Sequence, residues 1–170
     1  LQPIRMLVIR DPKMQETLVP HSYGQRQVAD ASDLLVLCIE TTIDSDYIRA
    51  YFDRVRHVRG TSEDVLRPFQ DSLQQSFEGK MPSEIRVWAT HQAYLALGNL
   101  LTVCAYERID ACPMEGFDPQ AYDEVLGLGE MGLSAVLALP VGFRADDDMF
   151  SGFKKVRREL SDAVINIQKK

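Results

Sequence analysis

Hydrophobic residues form three short, nearly continuous runs along the chain, and each run predicts a buried strand. The runs are residues 4–9 (IRMLVI), 33–40 (DLLVLCIE) and 133–141 (LSAVLALPV). Runs of this length that are rich in Val, Ile and Leu are typical of strands in the interior of a sheet. The turn signal Asp11-Pro12 ends the first run.

Between the second and third runs, apolar residues recur every three or four positions, and this pattern predicts helices. One helix is predicted to start at Thr42, a candidate N-cap, and to stop at Gly60. Another is predicted from residue 61 or 62 to Gly79, with Pro68 bending it or lying near its first turn. Shorter helices are predicted at residues 25–31 and 119–127.

The helix predicted over residues 83–107 differs from the others because its middle, AYLALGNLLTVCA, is apolar nearly all round. Such a helix is buried on every side, either in a core or in a subunit interface. The apolar stretch, residues 93–105, is shorter than the roughly 20 residues needed to span a bilayer. The sequence therefore predicts no membrane span.

The stretch GLGEMG, residues 127–132, matches the G-x-G-x-x-G fingerprint of dinucleotide-binding turns. That fingerprint works only after a strand and at the start of a helix, because the pyrophosphate needs the free N–H groups of the helix N-terminus. Here the predicted order is helix, glycines, strand. We therefore interpret Gly127 as a helix terminator and Gly129 and Gly132 as turn residues.

The composition is that of an ordinary globular chain: 170 residues, 45% of them hydrophobic, with a net charge of −6. No repeat or linker divides it, so a single domain over residues 1–170 is predicted. The acidic balance provides no global positive field, which argues against nucleic acid or an anionic membrane surface as a partner.

The three cysteines, Cys38, Cys104 and Cys112, are an odd number, which favours a reduced, intracellular protein, and a cytoplasmic location is expected. The histidines share no metal-ligand spacing with these cysteines, so no metal site is predicted.

Candidate chemistry lies in the loop IDACPMEGFDP, residues 109–119. Pro113 fixes one turn of the backbone, and Gly116 allows the backbone to approach another group closely. The N–H groups around Glu115 can therefore be presented to a planar ligand. From these residues alone, an ordinary surface loop is the alternative.

The PMEGF block in this loop, together with LQPIRMLVI, WATHQAYLALGNLL and KKVRREL in the same order, resembles the FMN-dependent nitroreductase family of NAD(P)H oxidoreductases. The resemblance covers essentially the whole chain. It implies an α+β fold with a central, mostly antiparallel sheet flanked by helices. It also implies an intertwined homodimer with FMN at the subunit interface, and residues 151–170, whose AVINI stretch alternates, as an arm exchanged with the partner.

The resemblance also implies a cofactor site. Pro113, Met114, Glu115 and Gly116 are expected to lie against the flavin ring, with a backbone N–H of the Glu-Gly step facing the reactive N5. The late Lys-x-Arg pair of the family matches Lys155 and Arg157, which are expected to hold the FMN phosphate.

Two further residues are assigned by the same resemblance. Gln27 is expected near the pyrimidine edge of the flavin, where an amide can both donate and accept hydrogen bonds. Phe77 is expected on the substrate side of the ring, with a role in the hydrophobic core as the alternative.

The implied activity is a two-step redox cycle in which NADH or NADPH reduces the flavin and a quinone or nitroaromatic, a small-molecule electron acceptor, then reoxidises it. FMN carries the chemistry, so no catalytic side chain is expected and the kinetics should be ping-pong.

Family members begin with a basic segment and a P-S-S-type loop before the Gln-Pro dipeptide, whereas Gln2-Pro3 almost opens this sequence. We therefore expect that the N-terminal part of the family domain is missing. The alternative function is a dimeric family member, flavin-bound or apo, that performs no turnover.

Overall fold

The computed structural model describes residues 1–167 and contains four strands and seven α-helices in that part of the chain. The strands are β1 (Ile4–Ile9), β2 (Asp33–Glu40), β3 (Asp110–Ala111) and β4 (Leu133–Gly142). The helices are α1 (Pro12–Leu18), α2 (Gln27–Asp30), α3 (Ser45–Arg59), α4 (Glu63–Glu78), α5 (Pro82–Tyr106), α6 (Pro119–Val125) and α7 (Leu160–Ala163). Short 3₁₀ turns cover Pro20–Ser22 and Leu128–Met131.

The four strands form one sheet in the order β1-β2-β4-β3, with every neighbouring pair antiparallel. The apolar run of β2 lies at the centre because it is hydrophobic on both faces: Val36 and Cys38 point into one core, and Leu37 and Ile39 into the other. The predicted α+β class with an antiparallel sheet is therefore confirmed.

Helices cover both faces of this sheet. The core on one face includes Leu18 of α1, Val28 of α2 and Tyr122 of α6, and the core on the other includes Phe52 of α3 and Ala93 of α5. We call these the α6-side core and the α5-side core. Loops that leave the ends of β2 and β4 therefore emerge between two helical layers.

The predicted helix bounds hold at Gly60, which ends α3 in a left-handed conformation with φ of 64°. The predicted N-cap at Thr42 is wrong by two residues. Ile43 is buried in the core, and the following Asp44 caps α3 by accepting a hydrogen bond from the Tyr47 N–H at 2.9 Å.

The apolar helix α5 is buried on one face only. Ala89, Ala93 and Leu97 pack into the core, whereas Leu95 is 70% exposed and Tyr106 is 85% exposed. The prediction that this helix is buried on every side is thus not met within one copy of residues 1–167.

Two segments differ from the predicted pattern. Asp11-Pro12 starts α1 instead of a turn, because Asp11 caps the helix by accepting from the Lys13 N–H at 3.0 Å and Pro12 occupies the first helical position. Within residues 151–167, the predicted arm carries α7 and no strand, and Ile165 is 84% exposed. Residues 168–170 of that arm lie outside the described residues, and its exchange with a partner stays a prediction.

A buried hydrogen-bond chain joins α6 to the turn after α1. The Ser22 hydroxyl donates to the Leu18 carbonyl at 2.8 Å, so the Tyr122 hydroxyl, also 2.8 Å away, donates to Ser22. Both side chains are fully buried. Ser22 precedes the segment that carries Gln27, so this chain helps to fix that segment to the rest of the fold.

We expect the substitution Tyr122→Phe to lower the free energy of unfolding by about 1 kcal/mol, because it leaves a buried acceptor on Ser22 unused. Urea denaturation measures the change. The matched control is Tyr23→Phe, since the Tyr23 side chain is 73% exposed and should change the stability little. Equal midpoints for the Tyr122→Phe variant and the wild type would contradict the expectation.

Candidate functional site

The loop of residues 112–118 is fixed at both ends by main-chain hydrogen bonds. Cys112 donates to the Pro140 carbonyl at 3.0 Å, and Met114 and Ala138 exchange two bonds of 2.8 and 3.0 Å, so the loop begins as an extension of the sheet. At its far end, Asp118 donates to the His21 carbonyl at 2.8 Å. These contacts hold the loop against the edge of the sheet with little freedom.

Buried side chains also fix the loop of residues 112–118. Met114 and Phe117 are 4% and 3% exposed and belong to the α6-side core, whereas Glu115 between them is exposed. Pro113 is also exposed, and Gly116 is half-buried. The loop therefore presents its Glu115-Gly116 step to the outside.

Two consecutive backbone donors in this step are free. Among the described residues, neither the Glu115 N–H nor the Gly116 N–H donates a hydrogen bond, whereas the N–H groups of Met114 and Phe117 on either side are satisfied. Glu115 is exposed and Gly116 is half-buried, so water accepts from these N–H groups when no ligand does. The step can therefore donate to a ligand.

Gln25 connects this loop to α2. Its side-chain Nε2 donates to the Gly116 carbonyl at 2.7 Å and to the Ser22 carbonyl at 3.1 Å, and its Oε1 accepts from Nε2 of Gln27 at 3.1 Å. One hydrogen bond therefore links Gln27 to Gln25, and Gln25 in turn contacts Gly116. The structure brings together these two residues predicted for the cofactor site.

Glu115 has a side-chain partner on α5. The Tyr94 hydroxyl donates to Oε1 of Glu115, and this hydrogen bond raises the pKa of Tyr94 above its ordinary value. The carboxylate of Glu115 is therefore already engaged within the chain, which suits a positioning role better than proton donation.

A cavity of about 650 Å³ lies beside α2, at the C-terminal end of α5 and the far end of β4. Gln27 and Lys155 both line it, so Lys155 is one more predicted residue that shares a space with Gln27. Arg157 is exposed, does not line the cavity, and donates only to the Val156 carbonyl at 2.9 Å within the described residues.

The charged groups of this cavity are mixed. Arg144 makes two hydrogen bonds of 2.5 and 3.0 Å to Asp110, and these bonds hold the pKa of Asp110 below its ordinary value, with a smaller effect from the charge of Lys155. Asp30 and Asp148 complete the set of charged lining residues. Lys155 is the cation of this set whose side chain makes no ion pair within the described residues.

Phe77 lies apart from the other predicted residues. It is 7% exposed, belongs to the α5-side core, and stacks edge-on against Trp88 with 5.1 Å between ring centroids. Met114 and Phe117 belong to the core on the opposite face of the sheet. The contacts of Phe77 in this chain are those of a core residue, and its place on the substrate side of the flavin stays a prediction.

Gln25 and Tyr94 are site residues that the sequence reasoning missed. Gln25 stands two positions before Gln27 in the same block, and Tyr94 lies in the WATHQAYLALGNLL block, so the only available signal was their presence in blocks already singled out. Nothing in local spacing indicates their contacts with a loop more than 20 residues away in sequence.

The other candidate chemistry is absent from the described residues. No group of three His, Cys, Asp or Glu side chains within residues 1–167 is arranged to hold a metal ion. Within the same part of the chain, no helix is both long and apolar enough to cross a membrane. Cys38 is buried, and burial, with the charge of Asp123, raises the pKa of its thiol to about 12.

Comparisons with known proteins place this geometry in a family. The model of the nitroreductase family matches residues 1–143. An oxygen-insensitive NAD(P)H nitroreductase of Salmonella typhimurium is 26% identical over 155 residues, which is 86% of this chain and 69% of that protein. An NADH dehydrogenase of Thermus thermophilus is 31% identical over 168 residues, which is 97% of this chain and 76% of that protein.

Solved structures show the same fold. A nitroreductase-like protein from Streptococcus mutans superposes with a TM-score of 0.80 at 23% identity, covering 98% of this chain and 78% of that one. A structure from Exiguobacterium sibiricum, described as a nitroreductase in complex with FMN, superposes with a TM-score of 0.79 at 20% identity. It covers 97% of this chain and 77% of that one.

Proposed function

This chain belongs to the nitroreductase family, and on that premise we propose that it is an FMN-dependent NAD(P)H oxidoreductase that reduces nitroaromatics or quinones. The relative from Salmonella typhimurium, an NAD(P)H nitroreductase, supports the reaction class. The structural neighbour from Exiguobacterium sibiricum, which is in complex with FMN, supports the cofactor.

The observation that carries the proposal is the pair of free N–H groups on Glu115 and Gly116, one side chain away from Gln27. FMN has a flat ring with acceptor atoms along one side and a phosphate at the end of its chain. The free N–H groups match the ring acceptors, the Gln27 amide matches the pyrimidine edge, and the Lys155 ammonium matches the phosphate. The residues present therefore fit the group.

Each of the proposed site residues has its own role toward FMN. FMN supplies the two-electron redox chemistry when bound. The N–H groups of Glu115 and Gly116 stabilise negative charge on the ring, and Pro113 and Met114 lead the backbone into this position. Lys155 holds the phosphate, and Arg157 is its proposed second cation. No side chain acts as an obligatory acid or base, so binding and orientation are the contribution of the protein.

The functional unit is a homodimer. Large apolar side chains of α5, Leu95, Val103 and Tyr106, are exposed, and such a group on one helix has the character of half an interface. A twofold arrangement of α5 against α5 buries these side chains. Residues 151–170 are proposed to reach the partner as an exchanged arm. The predicted cytoplasmic location stays a prediction.

One pocket serves both NADH or NADPH and the electron acceptor, so the two substrates bind in turn. The test is the visible absorption spectrum of the purified protein with added FMN, followed by anaerobic addition of NADH or NADPH. We expect perturbed flavin bands that the nucleotide bleaches, and parallel lines in double-reciprocal plots with a quinone as acceptor. Failure to perturb the FMN spectrum would contradict the cofactor assignment, and intersecting lines would contradict ping-pong kinetics.

One observation favours the alternative function, a family member that performs no turnover. Among residues 1–167, the cavity that contains Lys155 is lined by the carboxylates of Asp30, Asp110 and Asp148 and by two cations, Arg144 and Lys155. Excess negative charge disfavours a phosphate dianion. In the same absorption experiment, this alternative predicts flavin bands that NADH and NADPH leave unbleached, or no flavin bands.

A further inference from the structure

We propose that Gln25 and Tyr94 are positioning residues that together hold the Glu115-Gly116 step so that its N–H groups face outward. The role of this step toward a flavin rests on the proposed function. The contacts of Gln25 and Tyr94 with this step exist in the chain without ligand, so they can be tested separately.

The direction of the Gly116 N–H follows from the two peptide planes on either side of Gly116. In the first plane, the Glu115 carbonyl accepts from the Phe117 N–H at 2.9 Å. Because a trans peptide points its C=O and N–H in opposite directions, the Gly116 N–H in this plane points away from that bond. In the second plane, the Gly116 carbonyl accepts from Gln25 at 2.7 Å. Both planes are therefore fixed.

Gln25 is itself held in place. Two consecutive residues in the left-handed region, Tyr23 with φ of 54° and Gly24 with φ of 74°, reverse the chain after the 3₁₀ turn. The backbone N–H and the side-chain Nε2 of Gln25 then both donate to the Ser22 carbonyl, at 3.0 and 3.1 Å. The Gln25 side chain has little freedom left to move away from Gly116.

Gly116 is required for this contact. A Cβ atom at this position would lie 2.8 Å from Nε2 of Gln25, closer than real Cβ contacts. The Gln25 side chain would then have to withdraw, and the bond to the carbonyl would be lost. Glycine here therefore serves the approach of the glutamine.

Tyr94 acts on the same step from the opposite side of the loop. Its hydroxyl donates to the Glu115 carboxylate from α5, so the Glu115 side chain is tied to the helix while the Gly116 carbonyl is tied to the α2 side. The step is held at two points by two different elements. Gln25 also orients Gln27, whose Nε2 donates to it, which leaves Oε1 of Gln27 available to a ligand.

The experiment measures amide hydrogen exchange by NMR in the ligand-free protein for the wild type, Gln25→Ala, Gln25→Glu and Tyr94→Phe. The reporter is the Phe117 N–H, because its hydrogen bond to the Glu115 carbonyl depends on the contacts made by Gln25 and Tyr94. The internal reference is the Met114 N–H, which pairs with Ala138 and should keep its protection. The matched control is Gln75→Glu, the same change at an exposed glutamine on α4.

We expect exchange at Phe117 to accelerate about threefold to tenfold in both Gln25 variants and less in Tyr94→Phe, with Met114 and the control unchanged. Unchanged Phe117 exchange in the Gln25 and Tyr94 variants would overturn the proposal. Equal acceleration at Met114 would also overturn it, because that result indicates general destabilisation.

A second measurement tests whether the Gln25 contact affects FMN binding. The Kd for FMN, from quenching of flavin fluorescence, is expected to rise about threefold to tenfold in Gln25→Ala, and the reduction potential of bound FMN is expected to fall. If the wild type fails to bind FMN while Phe117 still responds as expected, the proposed function fails and the positioning role stands. An unchanged Kd and potential in a protein that binds FMN would overturn the role toward the flavin.

Discussion

The substitution Lys155→Ala is expected to raise the Kd for FMN about tenfold to hundredfold and to leave the Kd for riboflavin, which lacks the phosphate, within about threefold. A hydrogen bond to a charged group contributes about 1.5–3 kcal/mol, and each 1.4 kcal/mol changes an equilibrium constant tenfold. Lys155 lines the cavity that Gln27 also lines, so it is placed to meet a phosphate. Fluorescence titrations with both flavins measure the two constants.

The chain provides its own control in the basic run KKVRR. Lys154→Ala removes the same charge one position away, and Lys154 does not line the cavity. We expect it to change the Kd for FMN less than threefold. Arg157→Ala should have an intermediate effect, because Arg157 is the proposed second cation for the phosphate but is exposed and outside the cavity lining. Equal losses in Lys154→Ala and Lys155→Ala would indicate general attraction by the basic run and would contradict a phosphate contact.

Ionic strength separates these cases further. A general attraction between exposed charges is screened beyond about 8 Å at physiological salt, whereas a direct contact is screened less. The difference in Kd between wild type and Lys155→Ala should therefore persist at high salt if Lys155 contacts the phosphate. A difference that disappears with added salt would indicate general attraction by the basic run and would contradict the phosphate contact.

Three of the four strands, β1, β2 and β4, were predictable because their signal is local, whereas β3 (Asp110–Ala111) lies in a segment predicted as a loop. A strand at the centre of a sheet covered on both faces needs apolar side chains on both faces, and β2 and β4 show this as continuous runs. The start of α1 was not predictable from the same local pattern. Asp-Pro opens both turns and helices, and only the observed bond from the Lys13 N–H to Asp11 distinguishes the two.

The candidate site likewise contains residues that the sequence predicts and residues that it does not. The PMEGF loop stands out locally because its residues are adjacent, and its cofactor role, like those of Gln27 and Lys155, was assigned by resemblance. Gln25 and Tyr94 were missed because their role exists only in contacts with the loop: Gln25 and Gly116 are 91 positions apart. A polar residue in a turn before a short helix gives no local indication that its side chain supports a distant peptide.

Phe77 was assigned to the substrate side of the flavin by resemblance, with a role in the hydrophobic core as the alternative. It follows the helical period of α4, and the same period serves a residue that faces a substrate and one that faces the core. The edge-on stacking against Trp88 packs Phe77 into the core of this chain, and its role toward a substrate stays a prediction. The spacing of a residue predicts which face of a helix it occupies. Only the packing of that face against a second helix shows what the residue contacts.

The second large effect is expected from Leu95→Glu on the exposed face of α5. Leu95 is 70% exposed in the single chain, and in the proposed homodimer it is buried against the partner. Because an unpaired charge in an apolar interface costs several kcal/mol, we expect the dimer Kd to rise at least about a hundredfold. Sedimentation velocity over a range of protein concentrations measures the change.

Met131→Glu is the matched control, because Met131 is an exposed apolar residue, 53% accessible, in the 3₁₀ turn before β4. It adds the same charge away from the apolar face of α5, so it should leave the dimer intact. If Leu95→Glu stays dimeric while its fold is unchanged by circular dichroism, the α5 interface is wrong. If it becomes monomeric and loses FMN together with the partner, the cofactor site needs both copies. A monomer that retains FMN would place every essential flavin contact within one chain, and the exposed apolar face of α5 would then serve assembly alone.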